Sequence, residues 1–328
     1  MLSGKELILA TRPYSKEIRW KSWYHTIVVS VLLIALLYGT FFVPFVIGRI
    51  ACSIFAGLVM VRFFVIYHDH QHHTILYKSV PANIIFTIFG YYMLAPTSIW
   101  KRSHDYHHNH NSKLFSASIG SYPIMNRNKF LKSSKQERRS YLAIRHPLTI
   151  LFGYLSMFAY GMCVQSFVTS PRKHWDSLVA LLIHFSASAF LFIHFGWLTW
   201  LLSVFIPFMV AESLGAYLFY AQHNFPGVTF KSNTDWTYAG AALDSSSYMV
   251  MNPFWRWVTA NIGFHHIHHI NSRIPFYRLP EVLENIPELQ KCKTTSLNPS
   301  DIISCFRLKV WDPDQNKMIG LNELKGVS

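Results

Sequence analysis

The chain has 328 residues and a formal net charge of +14, yet only 14% of its residues are charged and 51% are hydrophobic, with 26 Phe. A charged fraction so far below the usual quarter excludes an ordinary soluble globular protein and points to a membrane protein. The basic balance does not point to nucleic acid: no long basic block or RNA-binding signature is present, and much of the charge flanks apolar runs, as in cytoplasmic loops over anionic lipid.

In chain order, residues 1–25 read as a polar, basic N-terminal segment without a cleavable signal peptide. Residues 26–43 are apolar and charge-free, and 44–67 are apolar apart from Arg49 and Arg62. A bilayer core needs about 20 helical residues, so these runs predict a helical hairpin turning near Gly39 and Pro44. Residues 82–99 are a weaker candidate, interrupted by Asn83, Gly90, Tyr91, Tyr92 and Pro96. A polar stretch at 101–147 carries ten Lys and Arg. The run 148–168 follows, containing Gly153, Gly161 and Gln165, and then two strong runs, 178–196 and 197–221, split near Gly196. Residues 26–279 are expected to form one membrane domain and 280–328 a cytoplasmic tail. In the tail, Pro280 and Asn298-Pro299 predict helix starts and Trp311-Asp312-Pro313-Asp314 a turn. Cys52, Cys163, Cys292 and Cys305 form no CxxC and read as isolated reduced thiols.

Histidine placement carries the chemistry. Of the 18 histidines, 13 lie at His68, His70, His72 and His73, at His104, His107, His108 and His110, at His265, His266, His268 and His269, and at His223. Each group stands beside an apolar run. If they build one site they share one membrane face, so an even number of crossings separates His110 from His223. Three apolar runs occupy that interval. Arg172 and Lys173 favour a cytoplasmic loop at 169–177, so 148–168 is expected to lie in the interface or re-enter. The same parity makes 82–99 non-spanning. Four spanning helices result, with both termini and every cluster cytoplasmic.

His68 and His72 are spaced i, i+4. His104, His107 and His108 repeat i, i+3, i+4, as do His265, His268 and His269. On a helix such residues share one face. Eight imidazoles, or nine with His223, exceed what one metal accepts, and two share them comfortably. No thiolate is offered, which weakens structural zinc, and acids are too few for a Glu-rich di-iron bundle. A redox pair with nearly all-nitrogen ligation remains, and iron fits those terms. Asp69 and Asp105 are placed to orient imidazoles through the second ring nitrogen. His70, His73, His110 and His266 break the spacing and read as neighbours of the ligands, while His25, His146, His174, His184 and His194 read as interfacial or packed residues. A transporter would carry its ligands within spanning helices near the midplane, whereas these lie at the membrane edge.

The clusters resemble the HxxxH, HxxHH and HxxHH boxes of the integral-membrane fatty acid desaturase family. Trp100-Lys101-Arg102-Ser103-His104 is similar to the Trp-Lys-x-Ser-His lead-in of its acyl-lipid members. Gln222-His223 is similar to the Gln-His beyond their last spanning helix. Asn261-Ile262-Gly263-Phe264-His265-His266-Ile267-His268-His269, Arg273-Ile274-Pro275-Phe276-Tyr277 and the ending Phe306-Arg307-Leu308-Lys309-Val310-Trp311-Asp312 resemble the bacterial branch. The likeness spans roughly residues 40–315. The first box departs in holding His70 and Gln71 where many members carry Cys-Gly.

The resemblance implies an all-α integral membrane protein: four transmembrane helices, interfacial or re-entrant helices, and a cytoplasmic helical cap carrying a histidine-rich di-iron site. It implies metal ligands at His68, His72, His104, His107, His108, His223, His265, His268 and His269, with Asp69, Asp105 and Asn261 supporting them, and no catalytic residue beyond the ligands. Two iron ions and O2 would introduce a cis double bond into an acyl lipid or acyl thioester in a bacterial inner membrane. The alternatives are a carotenoid or alkyl hydroxylase or ketolase of the same superfamily and, remotely, a divalent-metal transporter or sensor. No His-Pro-Gly-Gly haem motif is present, so an external ferredoxin or cytochrome b5-like donor is expected. Its docking face is expected near Arg127, Lys129, Lys132, Arg138 and Arg139, a patch that also reads as an ordinary lipid-facing basic surface.

Overall fold

Two apolar hairpins carry the site, and in each the corner is set by a residue that leaves the helical conformation. In this computed structural model, which describes residues 2–113, 122–231 and 236–324, a short helix α1 (Gly4–Thr11) precedes the first hairpin, α2 (Arg19–Phe42) and α3 (Val46–Gln71). The backbone is extended at Val43 and Phe45, on either side of Pro44, where the ring removes a donor that a continuing helix would need. At about 1.5 Å per residue both helices exceed a hydrocarbon core of roughly 30 Å. The first histidine cluster begins inside α3, with His68 and His70 in its last turns, His72 as its C-terminal cap and His73 just beyond.

The run 82–99 is not one helix. It divides into α4 (Val80–Tyr92) and the start of α5 (Thr97–His110), which lie at 90° to each other. Leu94 takes a left-handed φ of 52° and Pro96 caps α5, so the chain turns where a straight span would have continued. Helices α6 (Arg127–Lys132) and α7 (Lys135–Ile144) follow, the second closed by a Ser134–Glu137 capping box. The run 148–168 becomes an interrupted path: α8 (Pro147–Leu151), a π-helical stretch Tyr154–Val164, and α9 (Gln165–Thr169).

The second hairpin is α10 (Trp175–Trp200), a π-helical stretch Leu201–Phe205, and α11 (Ile206–Ala221). Gly196 interrupts α10 with φ 79° and ψ 166°, a conformation open to glycine and strained for other residues. The chain reverses there. Trp200 donates its indole N–H to Ser188 Oγ at 2.6 Å, whereas twelve residues of continuous helix would separate them by about 18 Å. Arg49 then ties the two corners together, donating to Thr40 O at 2.5 Å and Thr199 Oγ1 at 3.0 Å. Where α3 meets α11, Gly57 lets the backbones touch, because a Cβ there would stand 2.7 Å from Pro207 O and from Val210 Cβ. Three stretches are long and apolar enough to cross a membrane, α2, α3 and Trp175–Ala221, and the bent pair α4–α5 is a fourth candidate.

The remaining elements build a polar-faced cap: α12 (Tyr238–Asp244), β1 (Tyr248–Val250), α13 (Pro253–Val258), α14 (His265–Ile270), α15 (Leu279–Asn285), α16 (Pro287–Gln290), β2 (Thr294–Ser296), α17 (Pro299–Arg307), β3 (Val310–Asp312), β4 (Lys317–Ile319) and α18 (Leu321–Leu324). The helix starts at Pro280 and Pro299 and the turn after Trp311 form as expected. Two short sheets, β1 parallel to β2 and β3 antiparallel to β4, add to the helical architecture. Leu7 of α1 is buried with Ile267, Leu279, Val282 and Leu289, so α1 packs with α15 and α16 around the third histidine cluster. The four cysteines are free thiols.

Candidate metal centre

Four helices bring imidazoles to one place. The last turn of α3 supplies His68 and its C-terminal cap supplies His72, the last turns of α5 supply His104, His107 and His108, and His223 stands just past the end of α11. The six-residue α14 carries His265, His268 and His269. The C-terminal ends of α3, α5 and α11 therefore converge, and their partial negative charge favours a cation. Left-handed residues turn the chain beside each cluster: His73 (φ 59°), Ser112 (φ 67°), and the pair Ala260 and Asn261 (φ 44° and 59°). Such sparsely populated conformations gather where a site over-determines the backbone.

The nine imidazoles fall into two groups, in each of which one nitrogen per residue lies within 4.8 Å of the others. One group is His68, His72, His104, His108 and His268, and the other is His107, His223, His265 and His269. Sequence neighbours are split: His107 and His108 belong to different groups. The Nε2 atom of His108 is 3.1 Å from that of His104 and 3.0 Å from that of His268. In the second group the Nε2–Nε2 separations are 3.2 Å for His107–His269, 2.9 Å for His265–His223 and 3.1 Å for His269–His265. Two nitrogens held about 2.1 Å from a common ion at right angles stand about 3 Å apart, so the spacing fits coordination of one ion by each group. The groups abut, with the His108 and His269 rings stacked at 4.4 Å.

Electrostatics favour the neutral form at five of these donors. Burial holds His72, His265, His268 and His269 well below the ordinary histidine range, and the neighbouring imidazoles push the same way. Burial lowers His223 to about 4, against a hydrogen bond from its Nδ1–H to Ser245 O at 2.8 Å that favours the charged form. That bond also fixes the tautomer, leaving the Nε2 lone pair facing the group. On the membrane side Trp100 is fully buried and stacks on His104 at 5.0 Å.

The three expected supporting residues behave differently. Asp69 accepts from His68 Nδ1 at 3.1 Å and, through its other oxygen, from the Phe276 backbone N–H at 2.8 Å. Asp105 points away and pairs with Lys101, its i, i+4 neighbour, at 3.1 Å, so the expectation that it orients an imidazole is corrected. Among the described residues, Asn261 makes no side-chain hydrogen bond to a histidine either. Its left-handed backbone turns the chain toward α14, and its amide donates to Phe276 O at 3.1 Å. The neighbours of the ligand positions face elsewhere. His70 donates to Ile75 O and stacks on Phe86, His73 packs on Tyr77, His110 donates to Tyr106 O, and His266 donates to Leu289 O. Among the scattered histidines, His25 meets Arg62, His174 meets Ser98 and Arg102, His184 meets Tyr154, His194 packs on Phe190, and His146 caps α8.

An apolar cavity adjoins this centre, bordered by His68, His104 and His265 on one side and by Val65, Phe158, Gly215 and Phe219 along its walls. No sequence pattern marks these walls or the Ser245 carbonyl, because they meet the histidines only through long-range packing.

The chain matches the family described as fatty acid desaturase over residues 44–296. It is similar to a fatty acid desaturase of Bacillus subtilis (strain 168), with 26% identity over 279 residues covering 85% of this chain and 79% of the relative. It is similar to the sn-1 oleoyl-lipid 12-desaturase of Anabaena variabilis, 26% identical over 88% of this chain and 84% of the relative. It is also similar to the sn-1 acyl-lipid omega-3 desaturase (ferredoxin) of Nostoc sp. (strain 36), 24% identical over 70% of this chain and 65% of the relative.

Proposed function

This chain belongs to the fatty acid desaturase family, a membrane-bound oxidoreductase that desaturates fatty acyl chains, and from that premise we propose that its two histidine groups each hold one iron ion. The observation that carries this reading is the sorting of nine imidazoles into two groups with ligand-like nitrogen spacing, directly at the end of an apolar cavity. The ligands are His68, His72, His104, His108 and His268 for one ion and His107, His223, His265 and His269 for the other. When bound, the iron pair would supply the redox chemistry by which O2, two external electrons and two protons take one hydrogen from each of two adjacent methylenes, leaving a cis double bond and two waters.

The protein's own residues do the rest. Asp69 and Ser245 hold His68 and His223 in the tautomer that presents Nε2. Trp100 walls the site from the membrane side. A methylene offers no handle for acid–base chemistry, so the cavity walls select the bond by fixing where the chain lies against His68, His104 and His265.

The proposed topology has four crossings, α2, α3, α10 up to Gly196, and the return path through α11. The Arg49–Thr199 bond supports it by placing both hairpin corners at one end, opposite the histidines. Both termini and the centre are then cytoplasmic, in a bacterial inner membrane, with residues 1–25 and 280–328 flanking a membrane domain of 26–279. The proposed electron donor is a separate ferredoxin or cytochrome b5-like protein, and the ferredoxin in the name of the Nostoc relative is in keeping with it. Lys129, Lys132 and Arg139 are exposed on α6 and α7, whereas Arg138 turns in to donate to Ser133 O and Leu131 O.

The test is expression in a host without polyunsaturated lipids, followed by mass spectrometry of its fatty acids. A new double bond is expected. Isotopic oxygen from O2 appearing in the lipid product would identify a hydroxylase or ketolase instead.

A further inference from the structure

Helix α5 carries three proposed ligands, yet its own N-cap side chain does not cap it. Pro96 stands at that position without a side-chain hydrogen bond, so the first N–H groups of the helix need acceptors from elsewhere. One acceptor comes from the start of α10. Asp176, in the first turn of that helix, accepts the Ser98 backbone N–H through Oδ2 at 3.1 Å and the Ser98 hydroxyl through Oδ1 at 2.5 Å. Its carboxylate therefore lies at the N-terminal ends of two helices, where the partial positive charge of both favours it. Among the described residues no Lys or Arg pairs with it.

His174 closes the arrangement. Arg102, one turn along α5 from Ser98, donates from Nη1 to His174 Nε2 at 3.0 Å, and a guanidinium can only donate. The imidazole is then neutral with its proton on Nδ1, which donates to Ser98 Oγ at 2.8 Å. The Ser98 hydroxyl, accepting there, donates to Asp176. Burial, and then the Arg102 guanidinium, hold His174 below the ordinary histidine range, in agreement with that tautomer. Both His174 and Asp176 are buried. They grip α5 at Ser98 and Arg102, which share one face at i, i+4. Between these two, Trp100 is fully buried and stacks on His104, coupling the gripped turn to the first ligand of the box. Just before α5, Tyr67 of α3 donates its hydroxyl to Ala95 O at 2.8 Å and fixes where the helix begins.

Such a grip controls the rotation of α5 about its own axis. Successive helical residues point about 100° apart, and His107 and His108 belong to different groups. An imidazole stands roughly 5–6 Å from the helix axis, so a rotation of about 10° moves it by about 1 Å. Metal–ligand distances tolerate only about 0.2 Å.

We propose that Asp176, Ser98 and His174 are positioning residues for the metal centre, the carboxylate shared by α5 and α10 setting the rotation of α5 and with it the ligands of both ions. This rests on the two-ion reading of the centre. Asp69 holds one imidazole, whereas α5 supplies His104 and His108 to one group and His107 to the other. Loosening α5 therefore weakens both ions together.

Fe(II) binding by the full-length protein in detergent is measured against a graded chelator series, well below the melting temperature, and Mössbauer spectra are taken of the loaded protein. Ser98→Ala is expected to weaken both ions by about tenfold and to alter both Mössbauer signals. Asp176→Asn is expected to do the same, and where either variant fails to fold the other carries the test. Ser98→Thr, which keeps the hydroxyl, is expected to restore wild-type affinity and spectra. Ser177→Ala is the control. It breaks the 3.0 Å hydrogen bond with Ser166 at the same start of α10, and is expected to lower the melting temperature while both ions bind as in the wild type. Wild-type affinity and spectra in Ser98→Ala, loss of one ion alone, equal weakening in Ser98→Thr, or weakening in Ser177→Ala overturns the proposal. A wild-type protein that binds fewer than two ions sinks the two-ion reading itself.

Discussion

Asp69 holds His68 from the adjacent position of the same helix, its Oδ1 3.1 Å from the imidazole Nδ1, while its Oδ2 accepts the Phe276 backbone N–H at 2.8 Å. One carboxylate thus orients a proposed ligand of the first box and anchors the chain segment that follows the third. Asp69→Asn keeps the shape but removes the charge, and its amide group can present the wrong atom to His68. Losing a partner behind a ligand typically costs 10–100-fold in metal affinity. Iron per protein after dialysis against a graded chelator series should fall by that order, with the helical circular-dichroism signal unchanged. Wild-type iron retention would show that Asp69 serves the fold alone.

The split between His107 and His108 makes a sharper test. His107→Ala and His108→Ala are expected to remove different ions, each leaving about one iron per chain. Mössbauer spectra of the two variants should then show inequivalent residual sites, and desaturation should be lost in both. His266→Ala provides the contrast. It removes a bond to Leu289 O from a buried residue of the third box, and should keep two irons while losing about 1–3 kcal/mol of stability. Two irons in His107→Ala, or one in His266→Ala, would contradict the grouping.

The sequence made the ligand positions legible because helical spacing is a local property: i, i+3 and i+4 put His104, His107 and His108 on one face whatever else the chain does. The partition into groups was not legible, since it depends on which residues α14 and α11 bring opposite α5. Gly196 was read as a split and proves a reversal, because glycine at φ 79° permits a corner that other residues resist. Asp105 was misread for a related reason. Membership of a cluster in sequence says nothing about which side of the helix a residue takes, and its nearest opposite charge, Lys101, lies on the outer side.

Gly215 on α11 tests the acyl cavity. A Cβ built there stands 3.8 Å from Phe158 Cζ, ordinary van der Waals contact, so Gly215→Ala should be accommodated. Leu places three further carbons in the cavity. Gly215→Leu is expected to retain iron and to shift the product profile toward shorter chains or abolish turnover, read from the fatty acids of the expression host. An unaltered profile would place the acyl chain elsewhere.

Glu212, also on α11, is fully buried and neither carboxyl oxygen has a hydrogen-bond partner. Leaving a buried polar group unmet costs about 1–3 kcal/mol, and replacing it with an apolar group of similar shape removes that cost. Glu212→Met is therefore expected to raise the unfolding temperature in detergent by a few degrees, with iron content retained. A lower melting temperature with iron loss would reveal that the carboxyl supports the centre.

The imidazoles must be neutral to bind metal, so protons compete with iron. In the unfolded chain a histidine takes up its proton near 6.5, whereas burial lowers His223 in the folded protein to about 4 and holds His265, His268 and His269 well below the ordinary range. Between those limits the unfolded state binds more protons than the folded one. Stability therefore rises with pH through this window, and is lost as pH falls from about 6.5 toward 4, by up to about 1.4 kcal/mol per pH unit for each such histidine. Metal-free protein should show a melting temperature that drops steeply across that window and levels off above it. Iron-loaded protein should hold its metal at neutral pH and release it only as pH falls toward or below about 4, where the folded imidazoles begin to take up protons. A melting temperature of the metal-free protein flat from pH 7 to pH 4 would be incompatible with a centre built from neutral, buried imidazoles.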